Sequence, residues 1–235
     1  MSGHSKWATT KHKKAAKDSK RSSLFTKLTK VITIAAREGA DPDMNFKLRM
    51  AIDKGKSLSL PKENIERAIA KGSGTGEGQA LEEITYEGYG PEGIALIIEI
   101  VTDNRNRIAS EIRHILSKNG GSLGESNSVM WQFERKGVIY LKNKNLTDEQ
   151  ELEIIDAGAE DIEKDEDNIR IITAMENLQK IQEKLSTNNF EIDNAELEYL
   201  PKNKIIPKKI EKIENLFEIL DECDDINNFY SNADF

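Results

Sequence analysis

An α+β chain of three small domains is predicted: a basic three-helix bundle at the N-terminus, then two small α/β domains, one of them ferredoxin-like in the order βαββαβ. Three observations predict it. Apolar residues recur at helical spacing in three short stripes before residue 72. The run Gly72-Ser73-Gly74-Thr75-Gly76-Glu77-Gly78 follows, and its alternating glycines disfavour any regular element. Beyond it, strand-like runs alternate with helical periods. The 235 residues suit two or three domains. A hydrophobic fraction of 37% against a charged fraction of 32% fits small cores with much solvated surface.

The first stripe is Leu24, Phe25, Leu28, Val31, Ile32, Ala35 and Ala36, closed by Gly39. Asp41-Pro42 reads as a turn. A second helix over 45–56 turns Leu48, Ala51 and Ile52 inward. A third starts at Pro61, buries Ile65, Ala68 and Ile69 and stops at Gly72. Each stripe is narrow, so the three helices need one another. After the linker, 83–87 is a short strand, 88–93 a turn, and 94–101 a strand apolar enough to be buried on both faces. Thr102, Asp103 and Asn104 offer a cap for a helix over 105–119, which Gly120-Gly121 ends.

A second unit begins with β-like segments at 129–133 and 138–141. It continues through a helix opened by Thr147 near a capping-box arrangement, with Glu151 three residues after Asp148. The acidic run 160–167 reads as a solvated loop or a charged strand edge. A strand over 169–173, an amphipathic helix over 175–185 and an extended stretch over 190–200 complete the unit. A helix over 208–220 and a short strand at 229–231 come last and need a sheet to join, with the middle domain as the expected host. The predicted boundaries are 1–76 for the basic domain, 77–130 plus 206–235 for a discontinuous middle domain, and 131–205 for the acidic ferredoxin-like domain.

The net charge of −8 conceals a split. Residues 1–80 hold 17 basic and 8 acidic side chains, a net +9, and residues 81–235 hold 17 and 34, a net −17. Local potential, not the sum, governs binding of a polyanion. Lys6, Lys11, Lys13, Lys14, Lys17, Lys20 and Arg21 lie within sixteen residues, opposed only by Asp18. Ammonium groups at this density neutralise phosphates and release counterions. On a helix, Lys13, Lys17, Lys20 and Arg21 share a face, which Lys27 and Lys30 extend. Trp7 stands in the same arm and either stacks on an exposed base or anchors the bundle. His12 suits a phosphate contact. His4 and His12 alone, eight residues apart, do not make a metal site. Arg105 and Arg107 beside a helix N-terminus suit either a phosphate or capping and surface ion pairs.

Several classes are set aside. A single cysteine, Cys223, permits no internal disulfide framework and no Cys-rich metal site. No apolar run approaches a membrane span, and the N-terminus lacks a secretory h-region, so a cytoplasmic location is expected. No catalytic constellation is present, and neither an enzyme nor a cofactor is expected. The glycine run lacks the Gly-Lys-Ser/Thr ending of a phosphate loop.

Several segments resemble the YebC/PmpR family. They are Met1-Ser2-Gly3-His4-Ser5-Lys6-Trp7, Lys11-His12-Lys13-Lys14, Phe25-Thr26-Lys27-Leu28, the run 61–69, and Tyr86-Glu87-Gly88-Tyr89-Gly90-Pro91. Thr102-Asp103-Asn104-Arg105-Asn106-Arg107, Lys118-Asn119-Gly120-Gly121 and Tyr230-Ser231-Asn232-Ala233-Asp234 match as well. Thr10 and Phe46 depart from the residues usual in that family. The resemblance implies a bacterial cytoplasmic protein of three domains, described as a probable transcriptional regulator that binds DNA. Mitochondrial relatives act as translational activators, and some bacterial members are ribosome-associated. The leading expectation is a DNA-binding transcriptional regulator. The alternatives are a translation factor binding rRNA or tRNA on the ribosome, and a module whose basic domain docks on an acidic protein. The acidic domains suit a protein partner.

Overall fold

The computed structural model describes residues 18–74, 80–142, 145–164 and 168–235. Three helices form the first unit: α1 (Asp18–Ala35), α2 (Phe46–Ser57) and α3 (Lys62–Gly72). The described part of α1 includes six residues ahead of the apolar stripe that signals it. Asn45 caps α2, its side chain accepting from the Leu48 amide. Leu28, Ile32, Leu48, Ile52, Leu60 and Ile65 are buried together at the centre. Gly72 does more than end α3. A Cβ there would lie 2.2 Å from the Thr33 carbonyl oxygen, so its absence lets α3 approach α1.

The middle unit contains β1 (Glu82–Tyr89), β2 (Ala95–Thr102), α4 (Arg105–Lys118) and β3 (Ser122–Leu123). The third is β4 (Phe133–Leu141), α5 (Asp148–Ala157), β5 (Asp161–Lys164), β6 (Ile169–Ala174), α6 (Leu178–Thr187) and β7 (Ile192–Pro201). The chain then returns through α7 (Ile210–Glu222) to β8 (Ile226–Ser231), which pairs with β2. The two antiparallel sheets have the orders β3-β1-β2-β8 and β5-β6-β4-β7. The second is the βαββαβ arrangement expected of a ferredoxin-like unit.

Alternation along β2 explains its burial on both faces. Leu96, Ile98 and Ile100 pack under α4 and α7, whose Ile108, Ile112, Leu116, Leu216 and Phe217 close that core. Ala95 and Ile97 point the other way and meet Val129, Phe133 and Tyr230. Two local expectations need correction. The β-like segments at 129–133 and 138–141 are not two strands: a 3-10 turn, Met130–Gln132, leads into the single strand β4. Thr147 does form a capping box, but with Gln150, not with an acidic residue. The acidic run begins with β5, which lies at a sheet edge.

Where α2 meets β7, the apolar contact of Phe46 and Met50 with the third core encloses a polar cluster. Lys54 pairs with Glu196, and Asn194 Nδ2 also donates to Glu196 at 2.9 Å. One residue pair further, Tyr140 Oη donates to Glu198 at 2.6 Å, beside Arg170. Burial, and then the charge of Glu196, push the Glu198 carboxyl up to about 7 against the opposing pull of Tyr140, Arg170 and Lys54. An unfolded glutamate titrates near ~4.3. As pH rises from there to about 7, the unfolded chain releases a proton that the fold retains, so stability falls through that window. We predict a loss on the order of 3 kcal/mol across the window, read as the urea midpoint at pH 5, 6, 7 and 8. Glu198→Gln should flatten that dependence. An unchanged slope in the variant would show that another group sets it.

Candidate nucleic-acid interface

Helix α1 presents a polar stripe, Ser22, Thr26, Thr29 and Thr33, at steps of three and four residues. It faces Asn64, Arg67 and Lys71 of α3 across a cleft of about 750 Å³. Lys30, Arg107 and the carboxylates of Asp103, Asp224 and Asp225 complete the lining. The hydroxyl protons of Thr26, Thr29 and Thr33 are committed to the carbonyls of Ser22, Thr26 and Thr29. Those side chains therefore offer acceptors to an incoming group, and the donors a phosphate needs must come from the cations. Arg67 is exposed, Lys71 is half-buried, and neither forms an ion pair with a described residue. Their spacing on α3 is one turn, a signal present in the sequence outside the basic arm.

The residues expected from the sequence divide into three groups. Lys6, Trp7, Lys11, His12, Lys13, Lys14 and Lys17 lie outside the described residues. Lys20 and Arg21 fall in the first turn of α1; Arg21 is exposed, with its guanidinium 5.2 Å from the Phe25 ring centre. Arg105 is exposed at the start of α4 and forms no ion pair with a described residue.

Lys27 and Lys30 are drawn into the fold by their partners, and Arg107, half-exposed, is paired at its Nη2. Lys27 is only 5% exposed; its Nζ donates to the Asp221 carbonyl at 2.5 Å and lies 3.7 Å from that carboxylate. Lys30 Nζ reaches the Asp224 carbonyl at 3.0 Å and Asp225 Oδ1 at 2.5 Å. Arg107 Nη2 donates to Asp225 Oδ2 at 2.6 Å and to Asp103 at 3.2 Å. The α4 terminus is occupied as well: Asn104 caps the Arg107 amide, and Thr102 Oγ1 accepts from the Asn104 amide. Capping and ion pairing occupy this corner, while Arg105 stays exposed beside it.

Asp225 is the centre of that network. Burial opposes its charge, but the ammonium of Lys30 and the guanidinium of Arg107 outweigh burial and hold its carboxyl below the usual range. Thr102 Oγ1 adds a 3.2 Å hydrogen bond. Nearby, burial pushes the Cys223 thiol up, so it is a poor nucleophile. Among the described residues no group of histidines, cysteines and carboxylates is arranged to hold a metal ion. No described helix is long and apolar enough to cross a membrane.

Comparison with known proteins places these features in a family context. Residues 5–75 match the model of the TACO1/YebC protein N-terminal domain, and residues 81–233 match that of the TACO1/YebC second and third domain. A protein of Thermoanaerobacter pseudethanolicus named as a probable transcriptional regulatory protein is 50% identical over all of this chain and 97% of its own length. One of the same description from Chlorobium phaeobacteroides is 48% identical over all of this chain and 96% of its own. The crystal structure of a conserved hypothetical protein from Aquifex aeolicus superposes with a TM-score of 0.85. It shares 40% identity and covers 92% of this chain and 91% of that one.

Breaking a buried ion pair from one side leaves a charge without its partner and costs about 3 kcal/mol or more. Asp225→Asn should lose stability of that order, read by urea denaturation at pH 7. Because the carboxyl titrates below the ordinary aspartate value of about 3.9, the wild-type advantage should persist above pH 4 and vanish as pH falls through the lowered value. A variant within about 0.5 kcal/mol of wild type would remove Asp225 from this role.

Proposed function

The chain belongs to the TACO1/YebC family, and from that premise we propose that it is a nucleic-acid-binding regulator of gene expression, acting on DNA through its basic N-terminal domain. The observation that carries the reading is the concentration of a net +9 in residues 1–80 of a chain whose remainder carries −17. Relatives named as probable transcriptional regulatory proteins over their whole length support the regulatory role.

In this reading the arm supplies Lys6, Lys11, Lys13, Lys14 and Lys17, with Trp7 and His12 among them. Lys20 and Arg21 continue it into α1. Arg67 and Lys71 join from the cleft, where they have no described acidic partner. Lys27 and Lys30 hold the bundle on the acidic body instead, and Arg107 steadies the Asp225 carboxylate that Lys30 grips. Contacts of this kind grip the phosphate backbone and confer affinity with little base readout. The acidic domains repel the same polymer and leave the basic end as its landing surface. A cytoplasmic setting and a protein partner on the acidic domains complete the proposal.

Changing Lys11, Lys13, Lys14, Lys17, Lys20 and Arg21 together to Ala should weaken duplex binding by orders of magnitude. It should also flatten the slope of log affinity against log salt by about 5. Lys27→Met should leave that slope intact while lowering stability, because the Lys27 ammonium is internal. Affinity unchanged in the sixfold variant would reject the arm. Sedimentation with ribosomal particles after DNase treatment, without retention on any promoter fragment, would reject the transcriptional reading.

A further inference from the structure

Away from α1 and α3, the stretch 201–210 holds Lys202, Lys204, Lys208 and Lys209 and no acidic side chain, although it lies in the acidic part of the chain. All four lysines are exposed and none forms an ion pair with a described residue. Ile206, between them, is 79% exposed. The stretch is nonetheless strapped to the body at several points. Lys202 N donates to Gln132 O at 2.8 Å, Ile205 N to Asn232 O at 2.7 Å, Asp234 N to Ile205 O at 2.8 Å, and Lys208 N to a Glu92 carboxylate oxygen at 2.7 Å.

The first of these straps sits next to Trp131, whose side chain is the largest aromatic group left in solvent among the described residues, at 67% exposure. Its position is built, not accidental. The buried carboxylate of Glu87 accepts the amides of Asn127, Val129 and Met130 at 2.6, 2.8 and 2.7 Å, which fixes the loop ahead of the tryptophan. The Ser128 carbonyl then receives both the Tyr89 hydroxyl and the indole Nε1, each at 3.1 Å. With its only polar atom committed to the protein, the indole offers nothing but its ring faces. A ring held in water by three backbone hydrogen bonds to one buried carboxylate is prepared for a flat partner.

We infer that Trp131 and the lysines of 202–209 form a second nucleic-acid contact, for an unpaired strand: a base stacks on the indole while the lysines meet phosphates. Flat π-faces flanked by flexible cations are what sequence-tolerant single-strand binding requires. A duplex cannot use the ring, because its bases are already stacked on one another. A lipid surface would recruit the indole N–H to its interface, and here that atom is taken. The Glu92 carboxylate bonded to the stretch holds the backbone of Lys208, not an ammonium group. This contact uses none of the arm residues and stands apart from the duplex-binding reading.

The test exploits the chain's two tryptophans. Trp7→Phe leaves the emission of Trp131 alone. Titration at low salt with ten-nucleotide oligo-U and oligo-dT should quench it saturably, and preference for either sugar or for neither supports the contact. The slope of log affinity against log salt should be near −3 for four neutralised phosphates on a single strand. Changing Lys202, Lys204, Lys208 and Lys209 to Ala should abolish most of that slope, and Trp131→Ala should weaken binding of a labelled oligonucleotide about tenfold or more. Quenching that persists when the six arm cations are also Ala separates this contact from the arm. No quenching by either oligonucleotide, quenching by duplex only, or quenching by phosphatidylserine vesicles or polyglutamate in their place would overturn it. So would quenching indifferent to the four lysine changes.

Discussion

The carboxylate of Asp225 lies where three elements converge, the exposed end of α7 behind it, the first turn of α4 beside it and helix α1 across from it. It bonds Lys30, Arg107 and Thr102 with its two oxygens, while its own backbone carbonyl receives the Val101 amide. These partners come from two distant parts of the chain, α1 and the corner between β2 and α4. The carboxylate therefore does not decorate a finished interface; it sets where α1 can lie on the body, and Lys27 on Asp221 fixes the second point of the same line. Two points along one helix define its direction.

The same logic repeats on the other side of the bundle. Lys54 of α2 reaches Glu196 of β7, and Arg49 lies 3.7 Å from Glu183 of α6. The positive charge of the helical domain thus has two uses. Part is spent inward, neutralising carboxylates of the other two units. Part faces outward in Arg21, Arg67 and Lys71. The opposite signs of the two parts of the sequence are first a statement about docking and only second one about a polyanionic ligand.

The three units and the βαββαβ order were legible because strong periods marked them: the stripe of α1, the doubly apolar β2, the turn signals around 120 and 147. Boundaries failed where polarity hid a regular element. The first described turn of α1 is polar, so it could not be read from apolar residues. The charges Glu134, Arg135 and Lys136 suggested a break in β4, yet they extend a strand that β7 covers along its length. The site residues failed for a different reason. Lys27 and Asp221 stand 194 positions apart, and Lys54 and Glu196 142 apart. A lysine bound for a buried carbonyl is indistinguishable in a sequence from one bound for a phosphate. Trp131 escaped notice because exposure, not identity, makes it unusual.

An acidic body carries a consequence for how any polyanion meets this protein. At physiological salt the repulsion from surface carboxylates decays over about 8 Å, close to the dimensions of a side chain with its first water layer. A strand approaching the second or third unit is turned away unless it meets cations within that distance. The stretch 202–209 is such a gap in the acidic surface, and it is held open by main-chain bonds that do not consume a single ammonium group. Where the bundle spends its lysines on docking, this stretch is docked through its backbone and keeps its lysines. The contrast separates the two kinds of cation in the molecule: those whose partners the fold already supplies, and those for which it supplies none.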